Sequence, residues 1–140
     1  ERFDGVRLED FRVPQLAIDE AVAYAKQRKQ FGRRLIDFEM VQAMLADMAI
    51  KTEAARVLVN NCMRQMDAGE MVRKDGAIVK TFVTDAMQEV VSNAVQVLGG
   101  YGYSEEYPVE KLMRDAKIFQ IFEGTNEIQR MVVGRTVIGK

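Results

Sequence analysis

The chain contains no histidine and only one cysteine, Cys62. Any acid–base chemistry that needs an imidazole is therefore excluded, and a zinc site has too few nitrogen and sulfur ligands to form. A single thiol cannot close an internal disulfide, which suits a reducing compartment. Tryptophan is also missing, and the two prolines, Pro14 and Pro108, sit where helices would begin. No apolar run approaches the roughly 20 residues of a membrane-spanning helix, and no signal peptide is visible. Nor does either sign of charge dominate. With 20 Lys and Arg against 21 Asp and Glu, there is no broad basic field for nucleic acid or an anionic membrane.

What is present reads as one globular domain with a single core, since 140 residues is a typical domain length and the composition is ordinary. The chain opens at Glu1 in mid-pattern, as a segment of a longer protein would. Leu16, Ala17, Ala21, Tyr24 and Ala25 recur at helical spacing and predict a helix over about Val13 to Gln30. Gly32 supplies its stop, and Arg28 and Lys29 suit the C-terminal end of its dipole. Phe38, Val41, Leu45, Met48, Thr52, Ala55, Val59, Cys62 and Met66 then form one face of a long helix ended by Ala68-Gly69. Met40, Met44 and Met48 read as adaptable core filling, and Cys62 as a buried thiol. A third helix is expected from about Val72 to Leu98, burying Val79, Phe82, Val83, Ala86, Val90, Ala94 and Val97, with Gly99-Gly100 as its cap. A loop from Tyr101 to Tyr107 follows, then a short helix from Pro108 to about Asp115. Thr125 is the expected N-cap of a last helix ending near Ile138. No stretch alternates with period two long enough to predict a strand. The expected class is all-α, an antiparallel four-helix bundle with additional short helices.

Three clusters carry possible chemistry. In Ile121-Phe122-Glu123-Gly124-Thr125-Asn126-Glu127 a carboxylate stands between apolar neighbours and a helix start. Desolvation by Ile121 and Phe122 would raise its pKa toward the range of a general base, and free amides at the helix start would form an anion site. A surface glutamate that merely assists a helix N-terminus fits the same pattern. Gln96-Val97-Leu98-Gly99-Gly100-Tyr101-Gly102 ends a helix with three glycines in four positions. These admit a close backbone or a ligand, or serve as a cap and a flexible loop; the GxGxxG dinucleotide pattern is not present. Arg28-Lys29-Gln30-Phe31-Gly32 joins two cations, an amide and a ring. It is suited to phosphates and a planar ring system, or equally to a charged last turn with one buried Phe.

Taken in order, these stretches resemble the acyl-CoA dehydrogenase family. The resemblance is carried by Ala23-Tyr24-Ala25-Lys26-Gln27-Arg28-Lys29-Gln30-Phe31-Gly32, by Leu45-Ala46-Asp47-Met48, and by Gln96 through Gly102. It is completed by Tyr107-Pro108-Val109-Glu110-Lys111-Leu112-Met113-Arg114-Asp115-Ala116-Lys117 and by Phe122-Glu123-Gly124-Thr125. It extends from about Leu16 to the last residue; each motif alone is weak, but four in this order and spacing are specific.

The resemblance implies the C-terminal helical bundle, residues 1–140, of a three-domain flavoenzyme of fatty-acid β-oxidation. An N-terminal helical domain and a middle β-domain would precede it. Glu123 matches the family's catalytic glutamate, which takes the α-proton of an acyl-CoA while a β-hydride passes to N5 of FAD, giving the trans-2-enoyl-CoA. Gly124 matches a residue beside the thioester. The resemblance assigns FAD contacts to Arg28, Lys29, Gln30 and Phe31, to Gln96, Val97, Leu98, Gly99 and Gly100, and to Thr125, Asn126 and Glu127. It further implies electron-transfer flavoprotein as oxidant, a homotetramer built as a dimer of dimers, and residence in a bacterial cytoplasm or a mitochondrial matrix. No metal, nucleic acid or membrane span is implied. Glu39 replaces a common Gln, and Glu1-Arg2 resembles the family's usual entry to this bundle, which makes Arg2 a weak candidate for a substrate contact. A glutamate at position 123 resembles the short-chain, medium-chain, branched-chain or glutaryl branches rather than those that carry the base on an earlier helix. An acyl-CoA oxidase, or a helical oligomerisation module without chemistry, remains as an alternative.

Overall fold

The computed structural model describes residues 12–70 and 73–139; Glu1, Arg2 and Val72 lie outside that range. Among the described residues there are five α-helices: α1 (Arg12–Gln27), α2 (Glu39–Asp67), α3 (Arg73–Leu98), α4 (Val109–Phe119) and α5 (Asn126–Val137). The all-α expectation holds, with three long helices and two shorter ones.

Helix α3 is the axis of the molecule. It buries Gly76, Ala77, Val79, Lys80, Val83, Thr84, Ala86, Met87, Val90, Val91, Ala94, Val97 and Leu98, more than a single stripe. A helix buried on several faces must have neighbours on several sides, and α1, α2, α4 and α5 all pack on α3. Its C-terminal half joins Ala17, Ala21 and Ala25 of α1, Met48 of α2, and Val109 and Ala116 of α4 in the larger core. Its N-terminal half meets Ala55, Val59 and Cys62 of α2 through Val79 and Val83. With Lys51 paired to Glu89 further along, the order on α2 is reversed on α3, so the two run antiparallel. The alanines of α1 let that helix approach α3 closely, and burial raises the Cys62 thiol pKa.

Several expectations need correction. Helix α1 ends at Gln27, three residues early, because Lys29–Gln30 (β1) and Arg33–Arg34 (β2) pair as a small antiparallel hairpin, Lys29 opposite Arg34 and Gln30 opposite Arg33. Its two-residue turn, Phe31 at φ 51° and Gly32 at φ 80°, has the left-handed geometry that matches strand twist. Arg28 and Lys29 therefore lie beyond the helix rather than in its last turn. Phe31, expected inside under one reading, is 94% exposed. Leu16, Met40 and Phe82 also face outward, on the outer edges of faces whose centres are buried. Helix α4 continues to Phe119 rather than stopping near Asp115. The first part of the expected loop after α3 is instead a 3₁₀ turn, Gly99–Tyr103.

Candidate functional site

Between α4 and α5 the chain reverses on two consecutive left-handed residues, Glu123 (φ 55°) and Gly124 (φ 84°). Glycine adopts this conformation freely, but for glutamate it costs about 1–3 kcal/mol and persists only where the surroundings hold it. Here they do. Gln129 Nε2 donates to the Glu123 carbonyl at 3.1 Å, and Lys80 Nζ, reaching up from α3, donates to the Gly124 carbonyl at 2.9 Å. A Cβ at position 124 would stand 2.9 Å from the Gln129 amide nitrogen, so a side chain there would disturb the same clamp. The Glu123 carboxylate itself is exposed and forms no ion pair or hydrogen bond among the described residues.

Beneath the loop lies a buried polar cluster. Lys80, 1% exposed, also donates to Asn126 Oδ1 at 2.6 Å. Asn126 Nδ2 in turn donates to Thr84 Oγ1 at 2.8 Å and to Asp85 Oδ1 at 2.7 Å. The Thr84 hydroxyl returns its proton to the Lys80 carbonyl at 2.9 Å. Asp85 further accepts from Gln120 Nε2 at 2.7 Å and pairs with Arg130. Each buried group thus has a partner, as a dry site requires. Burial lowers the Lys80 pKa, and Asp85 and Glu127 partly restore it.

A second site joins two stretches that are far apart in sequence. Arg28, Gln30, Val97, Leu98, Gly99 and Gly100, with Tyr24, Leu35, Tyr101, Ser104 and Glu106, line a cavity of about 580 Å³. Tyr24, Tyr101 and Tyr107 form a ring cluster, with Tyr24 edge-on to Tyr107 at 5.7 Å. The Arg28 guanidinium lies 5.7 Å from the centre of the Tyr101 ring. The three glycines have separate reasons. A Cβ at Gly99 or Gly100 would meet nothing, so bare backbone faces the cavity. One at Gly102 would lie 2.5 Å from the Val95 carbonyl oxygen, so only glycine lets the 3₁₀ turn fold onto α3. A cation, an open stretch of backbone and aromatic walls suit a ligand bearing phosphates and a flat ring.

The fold therefore places Glu123 and Gly124 in a loop that leads through Thr125 into Asn126 and Glu127 of α5, and brings Arg28, Gln30 and Val97 through Gly100 around one cavity. Lys29, Phe31 and Gln96 are exposed and do not line it; Phe31 instead meets the Phe38 ring edge-on at 6.4 Å. Two physical expectations fail. Ile121 and Phe122 are 49% and 38% exposed, so within this chain they do not dry the Glu123 carboxylate. Nor are the amides at the start of α5 free. That of Asn126 donates to the Gln120 carbonyl, that of Ile128 to the Thr125 hydroxyl, and that of Gln129 to the Thr125 carbonyl. The Glu127 carboxyl is held below its ordinary range first by its own backbone N–H and then by the Thr125 hydroxyl. Asn126 is 2% exposed with its amide turned inward. The cluster of Lys80, Thr84, Asp85 and Gln129 was not anticipated, although a lysine between Val79 and Val83 on an inward face signals it.

Residues 7–138 match the family described as acyl-CoA dehydrogenase, C-terminal domain. The short-chain specific acyl-CoA dehydrogenase of Megasphaera elsdenii is 46% identical over 96% of this chain and 35% of its own length. The CarC subunit of the caffeyl-CoA reductase–Etf complex of Acetobacterium woodii is 43% identical over 97% of this chain and 36% of its own. The solved structure of butyryl-CoA dehydrogenase from Megasphaera elsdenii superposes with a TM-score of 0.88 at 46% identity, covering 93% of this chain and 34% of that one. The chain thus spans about a third of the length of the curated relatives it matches.

Proposed function

Since this chain belongs to the acyl-CoA dehydrogenase family, as its C-terminal helical domain, we propose that it supplies the proton-transferring carboxylate and part of the cofactor grip of an FAD-dependent acyl-CoA dehydrogenase. The observation that carries the reading is Glu123, whose left-handed backbone is clamped by Lys80 and Gln129 while its carboxylate has no partner among the described residues. Holding a residue in a costly conformation with its reactive end unused fits a working group better than a helix-capping one.

In this reading Glu123 removes the α-proton of an acyl-CoA, made acidic by the neighbouring thioester carbonyl. The small Gly124 leaves room beside it for that thioester. A bound flavin supplies the acceptor for the β-hydride, and the product is the trans-2-enoyl-CoA. Arg28, Gln30 and the Val97–Gly100 backbone would hold the phosphate and adenosine part of FAD, since the cavity offers charge, bare glycine backbone and rings of the right kind. Lys29, Phe31, Gln96, Thr125, Asn126 and Glu127 are proposed as FAD contacts on family position alone. For Asn126 this means an indirect role, because its side chain is occupied within the chain.

The exposed apolar residues Ile50 and Val57 on α2, Ile78 and Phe82 on α3, and Ile128 and Met131 on α5 support a homotetramer in which such faces are covered. Remaining walls of the active site would come from a preceding helical domain and a β-domain. Electron-transfer flavoprotein is the proposed electron acceptor, supported by a relative named as part of an Etf complex. Bacterial relatives support a cytoplasmic site of action, and among the described residues no helix is long and apolar enough to cross a membrane.

The test is anaerobic mixing of the full-length protein with a panel of acyl-CoAs. Substrate should bleach the flavin, and Glu123→Gln should bind FAD normally yet bleach far more slowly. Fast bleaching by Glu123→Gln would assign the base elsewhere. Rapid reoxidation of the bleached enzyme by air would favour the oxidase alternative. A second reading is favoured by the relative named as a reductase: the same carboxyl, protonated, delivers its proton to the α-carbon of a 2-enoyl-CoA. Mixing pre-reduced enzyme with 2-enoyl-CoAs and comparing the two rates decides the working direction.

A further inference from the structure

We infer that Lys80 is a positioning residue for Glu123, setting the direction of the carboxylate from the buried side of its loop. The inference rests on the proposed role of Glu123 and extends it to a residue on a different helix, 43 positions earlier.

The geometry is asymmetric in an informative way. A fully buried lysine on the central helix would ordinarily be costly, because its ammonium loses its hydration. Here Lys80 directs hydrogen bonds to the Gly124 carbonyl at 2.9 Å and to Asn126 Oδ1 at 2.6 Å. These two acceptors flank Thr125, so the ammonium spans the junction between the left-handed pair Glu123-Gly124 and the first residue of α5. Fixing the Gly124 carbonyl fixes the peptide plane that follows Gly124. With Gln129 holding the Glu123 carbonyl from the solvent side, both peptide planes around Gly124 are pinned. Neither hydrogen bond is made to the Glu123 carboxylate, so what they set is the direction of the loop backbone.

Helix α3 is the most buried element of the domain, which makes it a rigid base from which to hold a functional loop. Asp85, one turn further along, balances the charge through Asn126 at 2.7 Å, so that the loop, α3 and the start of α5 form one connected polar network. Such networks hold a unique geometry only while every member is satisfied. Removing Lys80 leaves the Gly124 carbonyl and Asn126 Oδ1 short of a donor and frees the loop to relax away from its left-handed conformation.

The experiment uses the full-length, FAD-loaded enzyme and the acyl-CoA that bleaches the parent fastest. Lys80→Met keeps the unbranched stem and removes both hydrogen bonds. Because small misplacements of a reacting group cost on the order of 100-fold, the limiting bleaching rate should fall about that much, while the substrate concentration for half-maximal rate changes less than about threefold. Flavin content and the visible spectrum of the oxidised enzyme should match the parent. A variant that retains its flavin and bleaches within about threefold of the parent overturns the inference, as does one that loses only substrate affinity. Should Lys80→Met fail to fold, Lys80→Gln keeps a polar end that is too short to span both acceptors; it should slow bleaching about tenfold with flavin retained, and an unchanged rate overturns the inference equally. Glu123→Gln is measured alongside. If it is slow and folded Lys80→Met is fast, only the positioning role fails; if Glu123→Gln is itself fast, the base assignment fails and the positioning role with it.

Discussion

Glu123 and Arg28 stand on the two regions proposed to carry this domain's chemistry, and the fold treats them differently. The Glu123 loop is tied down from below: Lys80, Thr84, Asp85 and Asn126 are joined in a buried network, and Lys80 holds the loop backbone at the Gly124 carbonyl. Arg28 leads into a hairpin of two residues per strand that is exposed, and this segment meets the α3 terminus across an open cavity with ring contacts for walls. The first region has one geometry and one exposed functional group. The second has an open backbone, an exposed cation and several contact points. A proton-transferring group needs a fixed direction, because misalignment costs rate. A cofactor grip needs complementary charge and surface, and small shifts cost little.

That contrast predicts opposite phenotypes in the full-length enzyme. Glu123→Gln should lower the flavin bleaching rate by about 10²–10⁴-fold, the usual worth of a positioned acid or base, with FAD content unchanged. Arg28→Ala should do the reverse. Losing one hydrogen bond to a charged phosphate weakens FAD retention by about 10- to 100-fold, while the molecules that keep FAD bleach at the parent rate. Equilibrium dialysis of FAD and stopped-flow bleaching of the loaded fraction separate the two. If both variants lost FAD and neither lost rate, the division of labour would be wrong.

The sequence carried much of this, for reasons that differ by element. Helices α2 and α3 were legible almost to the residue because their apolar periodicity runs unbroken for over six turns and glycines end them. Thr125 was legible as an N-cap because its chemistry is local. The hairpin at Lys29 was not, since two residues per strand give no alternation to read. Lys80 was passed over because a lysine is by default a surface residue; its partners, Gly124 and Asn126, are over 40 positions away and only the tertiary fold supplies them. The same holds for the cavity: Arg28 and Gly99 were each singled out, but their meeting depends on how α1 ends against the terminus of α3.

Gly102→Ala sharpens the comparison at the cavity. The added methyl must displace backbone of α3, at 2.5 Å from the Val95 carbonyl oxygen. A clash of this kind costs about 1–3 kcal/mol, so the melting temperature should fall, and the lining formed by Gly99 and Gly100 should shift with the turn. FAD retention should weaken while Glu123-dependent bleaching of the loaded enzyme stays at the parent rate. An equal loss at both sites would mean that the two regions are mechanically coupled through α3.

The smallest expected effect is with acid, and it reaches both regions by separate routes. Glu127, at the start of α5 beside the Glu123 loop, is held below its ordinary carboxyl value of 4.5 by its own backbone N–H and the Thr125 hydroxyl. Asp37, just beyond the hairpin, is held below 3.8 by its hydrogen bond to Arg34. In both cases the folded state favours the ionised form. The stabilisation is therefore fully present above the ordinary value and is lost as pH falls through the lower folded value. Melting temperature should be flat on this account from neutral pH down to about 5 and decline below about 4.5, because the unfolded chain then takes up protons that the folded chain resists. Both carboxyls are exposed, so each contribution is small and weakened by salt. Glu127→Gln should flatten the part of the decline that begins nearest pH 4.5, and Asp37→Asn the part that begins lower. Amide NMR shifts of Glu127 and Ile128 should respond only to the first, and the Arg34 guanidinium signals only to the second. If either substitution moved both sets of signals, the loop and the hairpin would titrate as one unit, and the independence of the two regions would have to be given up.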